Sequence, residues 1–194
     1  MRVTAAWDRA VWVLATGLGL GYCPVVPATV GALWGIPLAW WMNAALSPGV
    51  YIALQAALLA AAVVLADHAE RLVGRKDDRR IVVDEIATLP LVLVGLPLRT
   101  SPWLLLSGFV LHRLLDVVKP WPARSLQRVT GGVGIVADDL VSSLYALGAH
   151  WLLFRVGGGL ADLLWRRVTA RYHSRISSGV VRSHDSTQLR KRQS

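Results

Sequence analysis

Cysteine is almost absent from this 194-residue chain, which contains Cys23 alone. A single cysteine excludes an intramolecular disulfide framework and a zinc site built from several cysteines. The N-terminal segment also lacks the order of regions that is typical of a secretory signal peptide. Asp8 and Arg9 precede an apolar stretch, and this stretch continues into glycines. We therefore expect the N-terminal segment to be retained.

Signals for nucleic-acid binding are equally scarce, although the formal net charge is +9. Residues 166–194 carry eight Lys and Arg against one acid, Asp185, and so supply seven of the nine charges. Few large apolar side chains occur there, which predicts a disordered tail. Solvent or anionic lipid could equally surround it. No aromatic-basic pattern indicates a nucleic-acid partner. The sequence predicts one helical membrane domain over residues 1–165 and a basic tail over 166–194.

Apolar residues, in contrast, are abundant. They make up 54% of the chain, with nine Trp and a mean hydropathy of +0.47, more than the core of a soluble domain of this size needs. Uncharged runs at 28–46 and 50–66 and a further apolar run at 140–156 approach the ~20 residues that cross a bilayer. Two shorter runs between residues 86 and 111 fit either one broken span or two short helices. We predict an all-α, multi-span helical membrane protein.

Acidic residues gather beside these runs, chiefly as Asp84-Glu85, Asp116 and Asp138-Asp139. A single crossing over 86–111 would place the groups in opposite compartments, whereas a helical hairpin would place them on one face. Only the hairpin permits a composite site, and it is our hypothesis. Polar loops would then converge on one face of the protein.

The same hairpin gives an orientation in the membrane. Residues 1–27, 67–85 and 112–139 would share a face and carry two, five and four Lys or Arg, whereas the opposite turns carry only Arg99. The positive-inside rule makes the acidic face cytoplasmic. Five crossings would place the tail on the other side, unless residues 157–165 turn back or a short segment is re-entrant. Both remain open.

Converging carboxylates repel one another unless cations or protons neutralise them. Mg²⁺ favours oxygen ligands and is often shared between protein carboxylates and substrate phosphates, which suits phosphoryl chemistry. Arg113 and Lys119 lie about one helical turn on either side of Asp116, so one face could hold metal and phosphate. Each pair alone also fits a helix cap or ion pair. The occurrence of all these acidic and basic groups together indicates a functional site.

Three blocks carry a family resemblance: GLGLGYCPVVPATVGAL, DDRRIVVDEIATL and FVLHRLLDVVKPWPARSLQRVTGGVGIVADDLVSS. They resemble the patterns GxGxxPxxPGTxGSL, DxxxIVxDExxG and FRxxDxxKPxP followed by GGxGxxxDD of the phosphatidylglycerophosphatase A family, and with the runs between them cover about residues 10–156. Ala28 and Thr88 replace motif glycines, and Ser142-Ser143 replaces Ala-Gly.

The resemblance implies a Mg²⁺-dependent enzyme of the bacterial inner membrane, with multiple spans and cytoplasmic site loops. Its substrate would be an anionic phospholipid, phosphatidylglycerophosphate, which loses its terminal phosphate to give phosphatidylglycerol. Direct hydrolysis and an aspartyl-phosphate intermediate are both compatible with the motifs.

The residues at motif positions are the candidates for the site, and our hypothesis assigns them the following roles. Expected catalytic residues are Asp84, Glu85, Asp116 and Asp139. Expected metal ligands are Glu85, Asp116, Asp138 and Asp139, with Asp77 and Asp84 behind them, and Asp84 could also be a ligand or general base. Expected phosphate-binding residues are Arg113, Lys119, Gly131, Gly132 and Gly134.

Two other functions remain open from the sequence. A membrane phosphotransferase needs similar acids, but the chain lacks a dense Asp/Gly/Arg signature. A cation-binding membrane protein or transporter would place ionisable groups near the bilayer midplane, whereas these acids lie in loops and at helix ends. The sequence does not determine the oligomeric state.

Overall fold

The computed structural model describes residues 6–76 and 78–157, and this part of the chain contains helices and no strands. The all-α prediction is confirmed. The helices are α1 Ala6–Ala15, α2 Pro27–Ala45, α3 Pro48–Val73, α4 Val83–Val92, α5 Trp103–Val118, α6 Ala123–Leu126 and α7 Gly131–Gly157, with a 3₁₀ turn at Leu20–Tyr22.

Three features of the sequence prediction lie outside the described residues: Asp77, the segment 158–165 and the basic tail 166–194. The chain divides into two compact units, Met1–Trp151 and Leu152–Ser194. The described part of the second unit is the C-terminal end of α7. All the predicted site residues that are described belong to the first unit.

Proline and glycine set the ends of the long helices. Pro27 and Pro48 begin α2 and α3, at positions where a missing backbone N–H costs no hydrogen bond. Gly74 ends α3 with a φ of 68°, the left-handed conformation that glycine adopts without a steric penalty. The chain then enters the loop that leads to the acidic start of α4.

Two described helices are long and apolar enough to cross a membrane: α3 with 26 residues and α7 with 27. They include the predicted runs 50–66 and 140–156. The predicted run 28–46 forms α2 almost as expected, but α2 is not one of the two.

The faces of α5 are arranged for lipid rather than water. Leu106, Val110 and Leu114 follow one another at four-residue spacing and are 54–67% exposed. The opposite face buries His112 and Asp116. A helix at the surface of a soluble protein has the reverse arrangement, and an exposed apolar stripe needs an apolar environment. Together with α3 and α7, this identifies a helical membrane protein.

Helix α4 packs against α2, α3 and α5. Small residues permit the close approach, because a Cβ on Gly35 of α2 would lie 2.7 Å from Leu89 Cβ of α4. Ala62, Ala87 and Val136 join α3, α4 and α7 in one apolar cluster. The two short runs between 86 and 111 thus form two separate helices, and the first turn of α4 lies among the other site-bearing helices.

Candidate active site

Acids from two distant parts of the sequence meet in one buried cluster. Asp84 and Glu85 lie in the first turn of α4, and Asp139 projects from α7. One carboxylate oxygen from each residue lies within 4.8 Å of the others. Each residue is at most 8% exposed. The predicted convergence of the acidic segments is therefore confirmed for these three residues.

The donor set of this cluster fits a hard divalent cation. Asp84 Oδ1 and Glu85 Oε2 are buried and have no hydrogen-bond partner among the described residues. A buried carboxylate oxygen without a partner is costly, and a second carboxylate beside it adds repulsion. Carboxylate oxygens are the ligands that Mg²⁺ prefers. A metal ion would therefore satisfy these oxygens and balance their charge.

Asp116 connects this cluster to its basic neighbours. Its Oδ2 lies 2.8 Å from Arg113 Nη1 in an ion pair, and its Oδ1 lies 3.4 Å from Lys119 Nζ. The Asp116 carboxyl group is also within hydrogen-bonding reach of Asp139. The predicted basic-acidic face of α5 thus forms as an ion-pair network beside the acids of α4 and α7.

Lys119 joins the end of α5 to the acids of α7. Its ammonium group donates to Asp138 Oδ2 and, at 3.1 Å, to Asp139 Oδ1. The Lys119 backbone has φ 45° and ψ 74°, a left-handed conformation that is strained for a residue with a Cβ and that occurs often at functional sites. Burial disfavours its charge, but Asp139, Asp138 and Asp116 outweigh that effect and raise the Lys119 pKa.

One cavity gathers most of the predicted site residues. Its lining includes Asp84, Glu85, Asp116, Lys119, Asp138 and Asp139. Asp84, expected behind the ligands, is in the group that could hold a metal, whereas the expected ligand Asp138 pairs with Lys119. The metal role of Asp138 stays a prediction, and Asp77 lies outside the described residues.

The three predicted glycines differ in what surrounds them. The Gly132 N–H donates to Asp67 Oδ1 at 3.2 Å, and a Cβ there would lie 1.9 Å from the Val63 carbonyl oxygen. This places Gly132 at a close contact between α7 and α3. Gly131 has a φ of 81° and adjoins Asp67. Gly134 lines the cavity of the acids. A phosphate-binding role for any of them stays a prediction.

One residue at the site, Lys76, was missed by the sequence reasoning, and a buried neighbour, His112, is not among the residues that line the cavity. Lys76 lines the cavity and donates to the Gln127 carbonyl oxygen at 2.8 Å. Nothing in the sequence separates it from the other basic residues of 67–85. His112 contacts Thr88 Oγ1 at 3.1 Å in the interior. Its spacing of four residues from Asp116 did indicate a shared helix face.

The loop before α4 is held by a compact ion pair. Asp78 is 2% exposed and accepts two hydrogen bonds from the Arg80 guanidinium, at 2.8 and 2.9 Å. These hydrogen bonds lower the Asp78 pKa to about 2. Arg80 also lies over the rings of Trp12 and Tyr22. These contacts hold the loop before Asp84 in place against α1.

Comparison with known proteins agrees with this geometry. The family model for phosphatidylglycerophosphatase A matches residues 13–154. Phosphatidylglycerophosphatase A of Escherichia coli K12 is 37% identical over 147 residues, which cover 72% of this chain and 84% of the relative. Phosphatidylglycerophosphatase A of Haemophilus influenzae is 29% identical over 138 residues, covering 71% and 84%.

A third relative has a different substrate in its name. The putative phosphatidylinositol-3-phosphatase of Bacteroides thetaiotaomicron is 31% identical over 150 residues, which cover 72% of this chain and 93% of the relative. No solved structure matches the chain significantly. The family match includes all the described carboxylates of the cluster, together with Arg113 and Lys119. The chain belongs to the phosphatidylglycerophosphatase A family.

Proposed function

We propose that this protein is a lipid phosphatase that hydrolyses phosphatidylglycerophosphate to phosphatidylglycerol and inorganic phosphate in phospholipid biosynthesis. The observation that carries the proposal is the meeting of Asp84, Glu85 and Asp139 beside Lys119 in a helical membrane protein. The names of the Escherichia coli and Haemophilus influenzae relatives support this substrate. A headgroup at the membrane surface could enter such a site while its acyl chains stay in the bilayer.

The proposal includes Mg²⁺ as the cofactor. Asp84, Glu85 and Asp139 would hold it, with Asp116 next to Asp139 and Asp138 next to Lys119. When bound, such an ion stabilises negative charge on a phosphoryl oxygen and lowers the pKa of a bound water. The buried oxygens without partners on Asp84 and Glu85 support this assignment.

The basic side chains would position the terminal phosphate. Lys119 is held by carboxylates on α5 and α7, which fixes its ammonium group at the cavity wall. Arg113 is held by its ion pair with Asp116, beside the cavity rather than among its lining residues. Prepositioned positive groups stabilise the charge on a transferred phosphoryl group without reorganising during the reaction. We assign both residues to phosphate binding.

For the chemical step we favour direct attack by water in line with the leaving oxygen. Asp84 lines the cavity, and we assign the carboxylate oxygen of Asp84 that does not hold the metal as the acceptor of the proton that the attacking water loses. The phosphate would leave as the inorganic ion, and the glycerol oxygen would take up a proton to form phosphatidylglycerol. Nucleophilic attack by a carboxylate is the competing route.

We also propose a bacterial inner-membrane location, with several spans and the acidic site on the cytoplasmic side. The support is the excess of Lys and Arg in residues 67–85 and 112–139 over the opposite turns. Asp84 and Glu85 lie in the first turn of α4, Asp116 lies in the last turn of α5, and Asp138 and Asp139 lie about two turns from the start of α7 rather than at its middle. This position favours chemistry at the membrane surface over ion transport.

Substrate choice tests the proposal. The purified full-length protein is assayed for phosphate release from phosphatidylglycerophosphate and from phosphatidylinositol 3-phosphate in matched mixed micelles. We expect the ratio kcat/KM to be higher for phosphatidylglycerophosphate. A higher ratio for phosphatidylinositol 3-phosphate would assign the chain the substrate named for the Bacteroides relative. No release from either lipid by folded protein would contradict a phosphatase function.

A further inference from the structure

Lys76 lies in the loop after α3 and lines the cavity that holds the acids and Lys119. We propose that Lys76 binds the second phosphate of the substrate headgroup, the phosphodiester that joins glycerol to diacylglycerol. The site would then recognise a headgroup with two phosphates. This inference rests on the proposed hydrolysis of phosphatidylglycerophosphate and adds a residue that determines substrate specificity.

The basic residues of the site have different partners. Lys119 contacts three carboxylates, those of Asp116, Asp138 and Asp139, and Arg113 contacts Asp116. Lys76 instead donates to a neutral acceptor, the backbone carbonyl oxygen of Gln127, at 2.8 Å. Within residues 6–76 and 78–157, no carboxylate forms an ion pair with Lys76. Among the described basic residues that line this cavity, Lys76 is therefore the one without a carboxylate at ion-pair distance.

The contact of Lys76 is also easily exchanged. Both Lys76 and Gln127 are exposed, so water can replace the lysine at the carbonyl oxygen with little loss of free energy. The ammonium group is attracted more strongly to the negative oxygens of a phosphate than to a neutral carbonyl oxygen, because only the phosphate forms an ion pair with it. A phosphate at the cavity edge would therefore displace the Gln127 contact.

The chemistry of the headgroup supplies that phosphate. Its terminal phosphate is a monoester and must reach the carboxylates and Lys119, where it is removed. A glycerol spacer separates the phosphodiester from it, so the two phosphates need two separate positive groups. Lys119 is half-buried among the acids, with its side chain 19% exposed, whereas Lys76 is exposed and lines the same cavity. This places Lys76 on the phosphate nearer the acyl chains.

General attraction between a basic loop and an anionic bilayer is the competing explanation. Arg79 provides a matched control, because it lies in the same loop, is exposed and carries the same charge. Arg79 borders a different surface depression, formed with Arg75, Asp78 and Arg80. Lys76→Gln and Arg79→Gln therefore remove equal charge from one loop, and only the first removes it from the acidic cavity.

The experiment compares these two variants and Lys76→Arg with the wild-type full-length protein. Initial rates are measured against the mole fraction of phosphatidylglycerophosphate in mixed micelles. Loss of one partly screened charge-assisted hydrogen bond predicts a KM roughly tenfold higher in Lys76→Gln than in Arg79→Gln. We expect kcat within about threefold of wild type, because Lys76 does not touch the phosphate being removed. Lys76→Arg should keep most of the affinity.

Product inhibition shows which phosphate is bound. Phosphatidylglycerol retains the phosphodiester alone, and inorganic phosphate represents the terminal group. In Lys76→Gln, the inhibition constant of phosphatidylglycerol should rise with KM, whereas that of inorganic phosphate should stay unchanged. Equal KM values in Lys76→Gln and Arg79→Gln would overturn the inference, as would a higher inhibition constant for inorganic phosphate.

Failure of the inference is distinct from failure of the proposed function. If the wild-type protein releases no phosphate from phosphatidylglycerophosphate, the proposed function itself fails. If the wild type is active and Lys76→Gln behaves like Arg79→Gln, the function stands and the role of Lys76 is wrong. A thermal unfolding midpoint for each variant shows that a change in KM does not come from misfolding.

Discussion

Thr88 Oγ1 lies 3.1 Å from His112 Nε2, so a buried polar pair joins α4 to α5. Thr88 follows Asp84 by one helical turn, and His112 precedes Asp116 by one turn. The Thr88 hydroxyl donates to the Asp84 carbonyl oxygen at 2.8 Å. Because the hydroxyl has a single proton, His112 Nε2 must be the donor to Thr88. The pair fixes the spacing of the two acid-bearing helices.

Replacing Thr88 by valine tests this pair. Thr88→Val keeps the shape but removes the acceptor for a buried N–H, which should lower the free energy of unfolding by about 1–3 kcal/mol. Denaturant unfolding in mixed micelles measures the change. Thr100→Val is the control, since Thr100 is exposed in a loop and should change stability by no more than about 0.5 kcal/mol. Equal effects of the two substitutions would contradict a structural role for the pair.

Gly132 should be intolerant of any side chain. A Cβ there would lie 1.9 Å from the Val63 carbonyl oxygen and 2.7 Å from the Asp67 backbone nitrogen. Gly132→Ala must therefore separate α7 from α3, at a cost of about 1–3 kcal/mol or more. It should also reduce phosphate release, because Asp138 and Asp139 follow within two turns.

The matched control is Gly148→Ala on the same helix, where a Cβ would meet nothing within 4 Å. This substitution should be neutral or stabilise the protein by up to about 1 kcal/mol. Thermal unfolding of both variants in one detergent makes the comparison. A stable, active Gly132→Ala protein would mean that α3 and α7 do not approach as closely as described.

The contribution of the Asp78 charge to stability should be visible as a dependence of the unfolding free energy on pH. The folded-state Asp78 pKa of about 2 is below its usual value, so the unfolded state binds the proton more tightly. The stabilisation is complete above about pH 5 and is lost progressively as the pH falls through about 2. At neutral pH, Asp78→Asn should be less stable than wild type by about 1–2 kcal/mol, and the difference should shrink between pH 5 and 3.

Arg75 gives the comparison for this prediction. It also reaches Asp78, at 3.3 Å, but its side chain is 67% exposed, and an exposed ion pair contributes little. Arg75→Gln should therefore change the unfolding midpoint much less than Asp78→Asn at neutral pH. A pH-independent difference between Asp78→Asn and wild type would show that the Asp78 charge is not the source of stability.

Removal of Lys119 should change the response to metal. Its ammonium group balances Asp116, Asp138 and Asp139, so Lys119→Gln leaves those carboxylates without that charge. We expect Lys119→Gln to be less stable than wild type in EDTA and to gain more stability from added Mg²⁺. Its hydrolytic activity should remain low. An equal Mg²⁺-induced shift of the unfolding midpoint in both proteins would show that Lys119 does not influence metal binding.

Much of the architecture could be predicted from the sequence, because helix-length apolar runs and the acids beside them are local patterns. The separation of residues 86–111 into two helices followed from the requirement that Asp84, Glu85 and Asp139 share a site. The orientation of α5 could also be predicted, because His112 and Asp116 lie on one face of the helix and leucine and valine residues lie on the other.

Contacts that depend on packing were not predictable. The pairing of Asp138 with Lys119 depends on how the chain turns after α5, and no local pattern sets that angle. The hydrogen bond from the Gly132 N–H to the Asp67 carboxylate depends on the register between α3 and α7. Lys76 lies at the acidic cavity because its loop ends there, while Arg79 in the same loop faces elsewhere.

The central claim is that the carboxylate cluster holds a metal and performs phosphate release. The most direct measurement is release from phosphatidylglycerophosphate by wild type and Asp139→Asn, with Mg²⁺ and with EDTA, alongside the Mg²⁺-induced shift of the unfolding midpoint. Asp8→Asn is the matched control, because Asp8 pairs with His68 and is not among the lining residues of the cavity.

We predict that wild type and Asp8→Asn release phosphate only with Mg²⁺ and are stabilised by it. Folded Asp139→Asn should lose activity by roughly 10²-fold or more, together with most of the Mg²⁺-induced stabilisation. Folded Asp139→Asn protein that matches Asp8→Asn in both activity and Mg²⁺ response would contradict the account.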